Sequence, residues 1–353
     1  MPDPRVSVVI PIYDRGAYIK EAVDSVLAQT FADLEVIVVD DGSTDQGPDV
    51  VRAYRDSRVR LVCHGRNRGI AAGRNTGIDA ARGEYLAFLD SDDVAYPNRL
   101  ARQVEFLDDH PGYGGVGAWI DWMDASGRPL RRVKRRPLDP ADIAALRLFR
   151  QGIENTASMA PTAVLREYRH DESYVVSEDF DLWARIAADR PLANIPEILV
   201  RRRQHPRQTS RREGDRTPRL RQAIYARQLT ALGIEFGEED LRRHLLLRSM
   251  RKSGFVPDQS YLEWADRWLQ SLRGANLHSR LYPEPSFSRL LGALWGQVCW
   301  RAATALGWWA AARAFRSSPL SRFSFAGLRS AAYLRVSRPS VWLPRRLGIP
   351  LPA

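Results

Sequence analysis

The chain has 353 residues, 44% of them hydrophobic, which is enough for a sizeable core and more than one ordinary domain needs. Its formal net charge is +11, yet residues 241–353 alone hold 18 Lys and Arg against 4 Asp and Glu, so the remainder is slightly acidic. Cys63 and Cys299, the only cysteines, are too few and too far apart for a disulfide framework or a zinc module.

Val6 to Tyr13 reads as a short, nearly continuous apolar strand of the kind that lies in a parallel sheet covered on both faces. Because this first apolar run is a strand ending in a polar turn, no secretory signal is expected, and the chain reads as cytoplasmic. Ile19, Val23, Val26 and Leu27 recur at helical spacing and predict a helix ending near Gln29-Thr30. A second buried strand, Leu34 to Val39, runs directly into Asp40-Asp41-Gly42-Ser43-Thr44-Asp45. A third strand, Val59 to Cys63, and a helix around Ala71 to Ala81 lead to a fourth strand, Tyr85 to Leu89, which ends in Asp90-Ser91-Asp92-Asp93. Strands alternating with helices predict an α/β fold with a doubly wound, mostly parallel sheet and ligands at the carboxyl ends of its strands. Pro11, Tyr13, Asp40, Asp41 and Asp90 to Asp93 all fall on that edge. The turn after the first strand, Tyr13-Asp14-Arg15-Gly16, has no Gly-x-Gly-x-x-Gly, which disfavours a dinucleotide-binding domain.

Three carboxylates within four residues need a counter-ion. Carboxylate oxygens suit Mg²⁺ or Mn²⁺, and such an ion takes one or two protein carboxylates while substrate phosphates complete its shell. Taken alone, Asp-Ser-Asp-Asp equally suits a turn. Further on, Glu178-Asp179 precedes Leu182, Trp183 and Ile186 with the spacing of a helix start, where acidic residues also suit the helix dipole. Trp119, Asp121 and Trp122 precede a turn at Asp124-Ala125-Ser126-Gly127; they could stack on a sugar, though core packing is expected for at least one Trp.

Six ordered blocks resemble the inverting family 2 glycosyltransferases with the GT-A fold. They are Val8 to Tyr13, Ser25 to Thr30, Val38 to Asp45, Asn67-Arg68-Gly69 with Ala72 to Gly77, Asp90 to Asp93, and Glu178 to Trp183. The resemblance covers roughly residues 5–210. It implies that Tyr13 and Asp41 contact a uracil, with Pro11 beneath the nucleotide and Asp40 and Ser91 in the same donor-binding set. It further implies that Arg74 faces the metal carboxylates and diphosphate, that Asp90 lies nearer the ribose, and that Asp92 is the direct ligand of Mn²⁺ or Mg²⁺. Asp179 matches the family's base, which takes the acceptor hydroxyl's proton; Glu178 orients the loop or acceptor. Arg203, His205 and Ser210 match a late loop that closes over the diphosphate, with His205 a further candidate metal ligand and Trp183 assigned beside them. One departure is Ala160, where many relatives carry a histidine.

The fold implied is a GT-A nucleotide-sugar-binding domain over residues 1–215, followed by a basic, mainly helical region over 216–353. That second region holds seven of the ten tryptophans. Basic residues interleaved with Trp, Leu and Phe suit an anionic membrane interface, with Leu290 to Phe315 the strongest stretch, although a helical subdomain packing its aromatics inward is the competing expectation. Arg301 and Arg313 interrupt that stretch, so a spanning helix is not expected. The expected partners are a nucleotide-sugar donor, a glycan or lipid-linked acceptor and the inner face of a membrane, with no nucleic acid. The expected activity is sugar transfer from a nucleotide diphosphate in cell-surface polysaccharide synthesis. The alternatives are a catalytically silent partner of another glycosyltransferase, or a sugar nucleotidyltransferase, whose usual Gly-rich, Arg-Lys loop after the first strand is missing.

Overall fold

The computed structural model describes residues 3–206, 208, 217–250 and 253–328. The chain runs β1 (Val6–Ile12), α1 (Gly16–Leu27), β2 (Leu34–Asp40), α2 (Gly47–Arg52), β3 (Val59–Cys63), α3 (Ile70–Ala80) and β4 (Tyr85–Phe88). It continues through β5 (Val94–Ala95), α4 (Arg99–Asp109), β6 (Gly115–Met123), β7 (Pro129–Lys134), α5 (Pro140–Leu146), β8 (Met159–Pro161), α6 (Thr162–Tyr168), α7 (Glu178–Asp189) and β9 (Leu192–Arg203). The remaining described elements are helices: α8 (Thr217–Ala231), α9 (Glu238–Ser249), α10 (Gln259–Ser279), α11 (Ser286–Leu306), α12 (Trp308–Ser317) and α13 (Ser321–Leu328).

All these strands join one sheet in the order β3-β2-β1-β4-β8-β6-β9-β5, with β7 paired to β6 as a hairpin. The first four are parallel, as the alternation of strands and helices predicts. Beyond β4 the sheet is mixed: β8 is antiparallel to both β4 and β6, β9 is parallel to β6, and β5 is antiparallel to β9. The parallel half is continuous in apolar residues because both faces are covered. Val6, Val8, Ile10 and Ile12 point to one side, into a core with Ile19, Val23 and Val26 of α1 and Leu100, Val104 and Leu107 of α4. Val9, Ile37, Val39 and Phe88 point to the other, against Ile78 of α3, Leu165 of α6 and Leu182, Trp183 and Ile186 of α7. Alternate side chains of one strand thus feed two cores.

The C-terminal helices pack on the sheet domain. Trp264, Trp268 and Trp295 share a core with Ala145 and with Leu148 and Phe149 just beyond α5. Polar ties reinforce it: the Tyr225 hydroxyl donates to the Phe149 carbonyl at 2.8 Å, and His244 Nε2 lies 2.9 Å from the Leu148 carbonyl. Three other tryptophans face outward, with Trp300, Trp308 and Trp309 at 67%, 60% and 87% exposure. The expectation of a helical subdomain packing its aromatics inward therefore holds for part of the region; Trp342 and the boundary near residue 215 lie outside the described residues. Gly307 (φ +83°) separates α11 from α12 within the Leu290–Phe315 stretch, and no described helix is long and apolar enough to cross a membrane.

Gly77 shows how tightly α3 seats on the sheet: a Cβ there would lie 2.3 Å from Val9 Cγ1. Gly77→Ala is expected to cost about 1–3 kcal/mol through overpacking, which chemical denaturation measures directly. An unchanged midpoint would contradict this packing.

Candidate active site

The carboxyl edge of the parallel strands gathers the acidic residues. Arg74, on α3 and 3% exposed, bridges the Asp90 carboxylate at 3.0 Å and the Glu178 carboxylate in a short ion pair, while its Nε is buried without a partner among the described residues. Asp92 Oδ2 lies 2.7 Å from His205 Nε2, whose ring lies against Tyr18 with centroids 4.9 Å apart. Asp93 accepts the Arg203 backbone N–H at 2.9 Å through one oxygen and leaves the other buried and, among the described residues, unpartnered. Burial, opposed by Arg74 and aided by Asp92, raises the Asp90 carboxyl; burial with Asp92 and Asp90 beside it raises Asp93 further. This mutual repulsion shows unneutralised negative charge.

Mg²⁺ or Mn²⁺ fits that donor set. Asp92, Asp90 and His205 offer oxygen and imidazole ligands, and the orphaned Asp93 oxygen marks charge still uncompensated. Among the described residues no three acidic, His or Cys side chains converge on one point, so Asp92 with one neighbour, Asp90 or His205, is the set that would meet an ion.

The second group lines the ends of β1 and β2. Tyr13 is 40% exposed at the rim, Pro11 is buried against Gly73, and Ser91 is buried. Asp40 accepts the Ser43 N–H at 3.0 Å and so shapes its own turn. Asp41 accepts backbone N–H groups of Arg68 and Gly69, each at 2.8 Å, and lies 2.7 Å from His64 Nδ1; His64 Nε2 lies 2.9 Å from the Thr76 hydroxyl. A carboxylate offers about four lone-pair positions, so these three partners leave one position of Asp41 open.

The third group is the start of α7. Ser177 adopts a left-handed conformation (φ 73°), and Glu178 follows it into the buried site. Burial pushes the Glu178 carboxyl up to about 7 against the pull of Arg74, with Asp179 and Asp90 adding to the rise. Asp179 is only half-buried; its Oδ2 accepts the side-chain N–H of Gln151 at 3.0 Å, leaving it the accessible carboxylate of the pair.

Three expected positions stand differently. Trp183 does not face a loop: it is buried in the core beneath α7, with Nε1 donating to Asn155 Oδ1 at 3.0 Å. Arg203 ends β9 rather than a loop, and its guanidinium turns on Glu21, the Asp92 carbonyl at 3.0 Å and the Ala125 carbonyl at 3.3 Å. It braces the acidic turn from behind instead of reaching for a diphosphate. Ser210 lies outside the described residues. Ala160 is buried in β8, paired with Leu86. Trp122 packs partly buried against the core, as expected for at least one of the two, with Arg132 and Arg202 over its ring at 4.7 and 5.3 Å, while Arg135 lies over the Trp119 ring at 5.4 Å. Asp121 is tied to Arg201 at 3.0 Å and to the Tyr96 hydroxyl at 2.7 Å. His64, Gln151 and Glu154 join the site without having been singled out by sequence, whereas Arg202 belongs to the visible arginine run at 201–203.

The family model "Glycosyl transferase family 2" matches residues 7–168. MJ1057, an uncharacterized glycosyltransferase of Methanocaldococcus jannaschii, is 30% identical over 208 residues, spanning 58% of this chain and 72% of that protein. The chain belongs to glycosyl transferase family 2. This transferase is also 38% identical over 200 residues to the succinoglycan biosynthesis protein ExoO of Rhizobium meliloti, covering 52% of this chain and 56% of that one. An uncharacterized glycosyltransferase of Rickettsia felis is 34% identical over 220 residues, 59% of this chain but 36% of its own length, so the transferase spans about a third of that relative. Staphylococcus aureus TarS 1–349, solved in complex with UDP-GlcNAc, shares the fold with a TM-score of 0.56, 18% identity and coverage of 88% of this chain and 91% of that one.

Glu178 gives a pH test. Its folded pKa lies above the ordinary value of 4.5, so the proton it binds stabilises the fold fully below that value, and the contribution is lost as pH rises through about 7. The wild type should lose on the order of 3 kcal/mol between these limits through this group. Glu178→Gln should flatten the slope in denaturation curves taken from pH 4.5 to 8, and an unchanged slope would place the titration elsewhere.

Proposed function

We propose that the transferase moves a sugar, with inversion, from a UDP-sugar to a hydroxyl of a glycan or lipid-linked acceptor in cell-surface polysaccharide synthesis. The observation that carries this reading is Arg74, which ties the acidic turn at Asp90 to Glu178 and so sets the metal carboxylates and Asp179 around one space. The UDP-GlcNAc complex of the similar TarS fragment and the succinoglycan biosynthesis for which ExoO is named support the donor and product classes.

In this reading Tyr13 stacks on the base and Asp41, anchored by His64 and two backbone amides, accepts the base N–H. Asp92, with Asp90 or His205 beside it, would hold Mg²⁺ or Mn²⁺. When bound, the ion neutralises charge on the leaving diphosphate. Arg74 holds Glu178 and Asp90 in register. Asp179 takes the proton of the acceptor hydroxyl at a carboxylate oxygen, and the Gln151 amide fixes its orientation. One displacement needs one base and no covalent sugar on the protein, consistent with a single accessible carboxylate at this position.

The test is nucleotide release from UDP-, GDP- and dTDP-sugars with Mg²⁺ or Mn²⁺ and a membrane extract as acceptor source. UDP release should depend on the metal and vanish in Asp92→Ala. Asp179→Asn should keep UDP affinity and lose transfer by about 10²-fold or more. No release from any donor, with no effect of metal on nucleotide binding, would instead favour a silent partner.

The outward tryptophans extend the reading to a membrane. Trp300 and Trp308 form an edge-to-face pair at 4.9 Å, Trp309 adjoins them, and Arg313 and Arg316 lie on the same short helix as Trp308 and Trp309. Aromatic rings flanked by arginine suit the headgroup layer of an anionic bilayer at the inner face of the cell membrane. The protein should co-sediment with vesicles containing phosphatidylglycerol more strongly than with phosphatidylcholine alone, and Trp308→Ser with Trp309→Ser should weaken this at least tenfold; equal binding to both vesicles would remove the membrane from the proposal.

A further inference from the structure

Beside the acidic turn lies a cluster of opposite sign. The β6–β7 hairpin delivers Lys134 and, just past its end, Arg136; β9 delivers Arg202; the segment after α5 delivers Glu154. Glu154 is 5% exposed and takes all three cations, with Lys134 Nζ and Arg136 Nε each at 2.5 Å and Arg202 Nη1 at 3.7 Å. Arg202 also faces Asp90, Asp92 and Asp93, whose charges hold its guanidinium above the ordinary value against burial. Lys134 and Arg136 share Glu154 as their carboxylate partner among the described residues. Burial, and then Arg136, pulls the Lys134 ammonium down to about 7, although its side chain keeps 37% exposure. Trp122, over which Arg202 sits, has a buried indole N–H with no partner among the described residues.

The position of this cluster gives it meaning. Arg136 donates to the Gln151 carbonyl at 2.5 Å, and the Gln151 side chain donates to Asp179. The cations therefore run from the Gln151–Asp179 contact to the acidic turn. Lys134 and Arg136 share one carboxylate, and guanidinium forks suit the oxygens of phosphate and carboxylate. The donor's own diphosphate is the other possible source of such oxygens.

Resting on the reading of Asp179 as base, we propose that Lys134, Arg136 and Arg202 form an acceptor subsite for an oxyanion, a phosphate or carboxylate borne by the acceptor next to its reacting hydroxyl. Glu154 preorganises the three side chains. The acceptor is then an anionic glycan or a phosphate-linked sugar rather than a neutral one.

The experiment is calorimetric titration of the full chain, saturated with UDP and Mg²⁺ so that the donor's phosphate positions are filled. The probes are methyl phosphate and methyl glucuronide, with methyl glucoside as the neutral comparison. At least one anionic probe should bind and the glucoside should not. Lys134→Ala, or Lys134→Met where the alkyl stem is needed for folding, should weaken that binding at least tenfold. Arg131→Ala, exposed on the same strand, should leave it unchanged. Equal binding in wild type and both Lys134 variants, or no anion binding in the UDP-saturated protein, overturns the subsite. Absence of UDP binding would count against the donor reading instead; the same titration without nucleotide, comparing wild type with Lys134→Ala, then still decides the subsite.

Discussion

The site depends on one buried guanidinium. Arg74 reaches from α3 to two carboxylates, Asp90 after β4 and Glu178 at the start of α7, which are far apart in sequence. Removing a fully buried cation from between two carboxylates leaves both uncompensated in a low-dielectric setting, a larger penalty than the pair's net contribution to stability. The acidic turn and α7 are thus linked by electrostatics as well as by the packing of Phe88 against Leu182, Trp183 and Ile186, and the α3 backbone must approach β1 closely for Arg74 to reach them. Gly77 permits that approach.

Charge is segregated around this bridge. On one side, Asp90, Asp92 and Asp93 crowd into one turn, where burial and the neighbouring carboxylates raise Asp90 and Asp93, a setting that suits a divalent ion. On the other, Lys134, Arg136 and Arg202 outnumber Glu154. Arg202 belongs to both groups and joins them. Two adjacent fields of opposite sign would orient a substrate that is itself uneven in charge before any contact is made.

The parallel half of the fold was legible because strands covered on both faces leave uninterrupted apolar runs, and because its acidic residues sit directly at strand ends. Asp41, Asp90 and Asp92 could be picked out for that reason, and Asp179 because it opens an apolar-faced helix. The mixed half was not legible: β5 and β8 have two and three residues, too short for any period, and β9 ends in three arginines that read as a loop. The partners of those arginines come from hairpins and turns far away in sequence, so Glu154 could not be paired with Arg202, nor Gln151 with Asp179, by spacing. The tryptophans of the C-terminal region illustrate the same limit, since composition does not say which rings turn inward.

The inward set has a consequence for how this enzyme could have been assembled over evolutionary time. Leu148 and Phe149 are buried by the C-terminal helices, and two residues later Gln151 touches Asp179. The C-terminal helices are therefore built into the sheet domain through residues 145–149 and are not an independent cassette. Recombination that replaced these helices would have to preserve the apolar face against residues 145–149, so the two parts are constrained to diverge together.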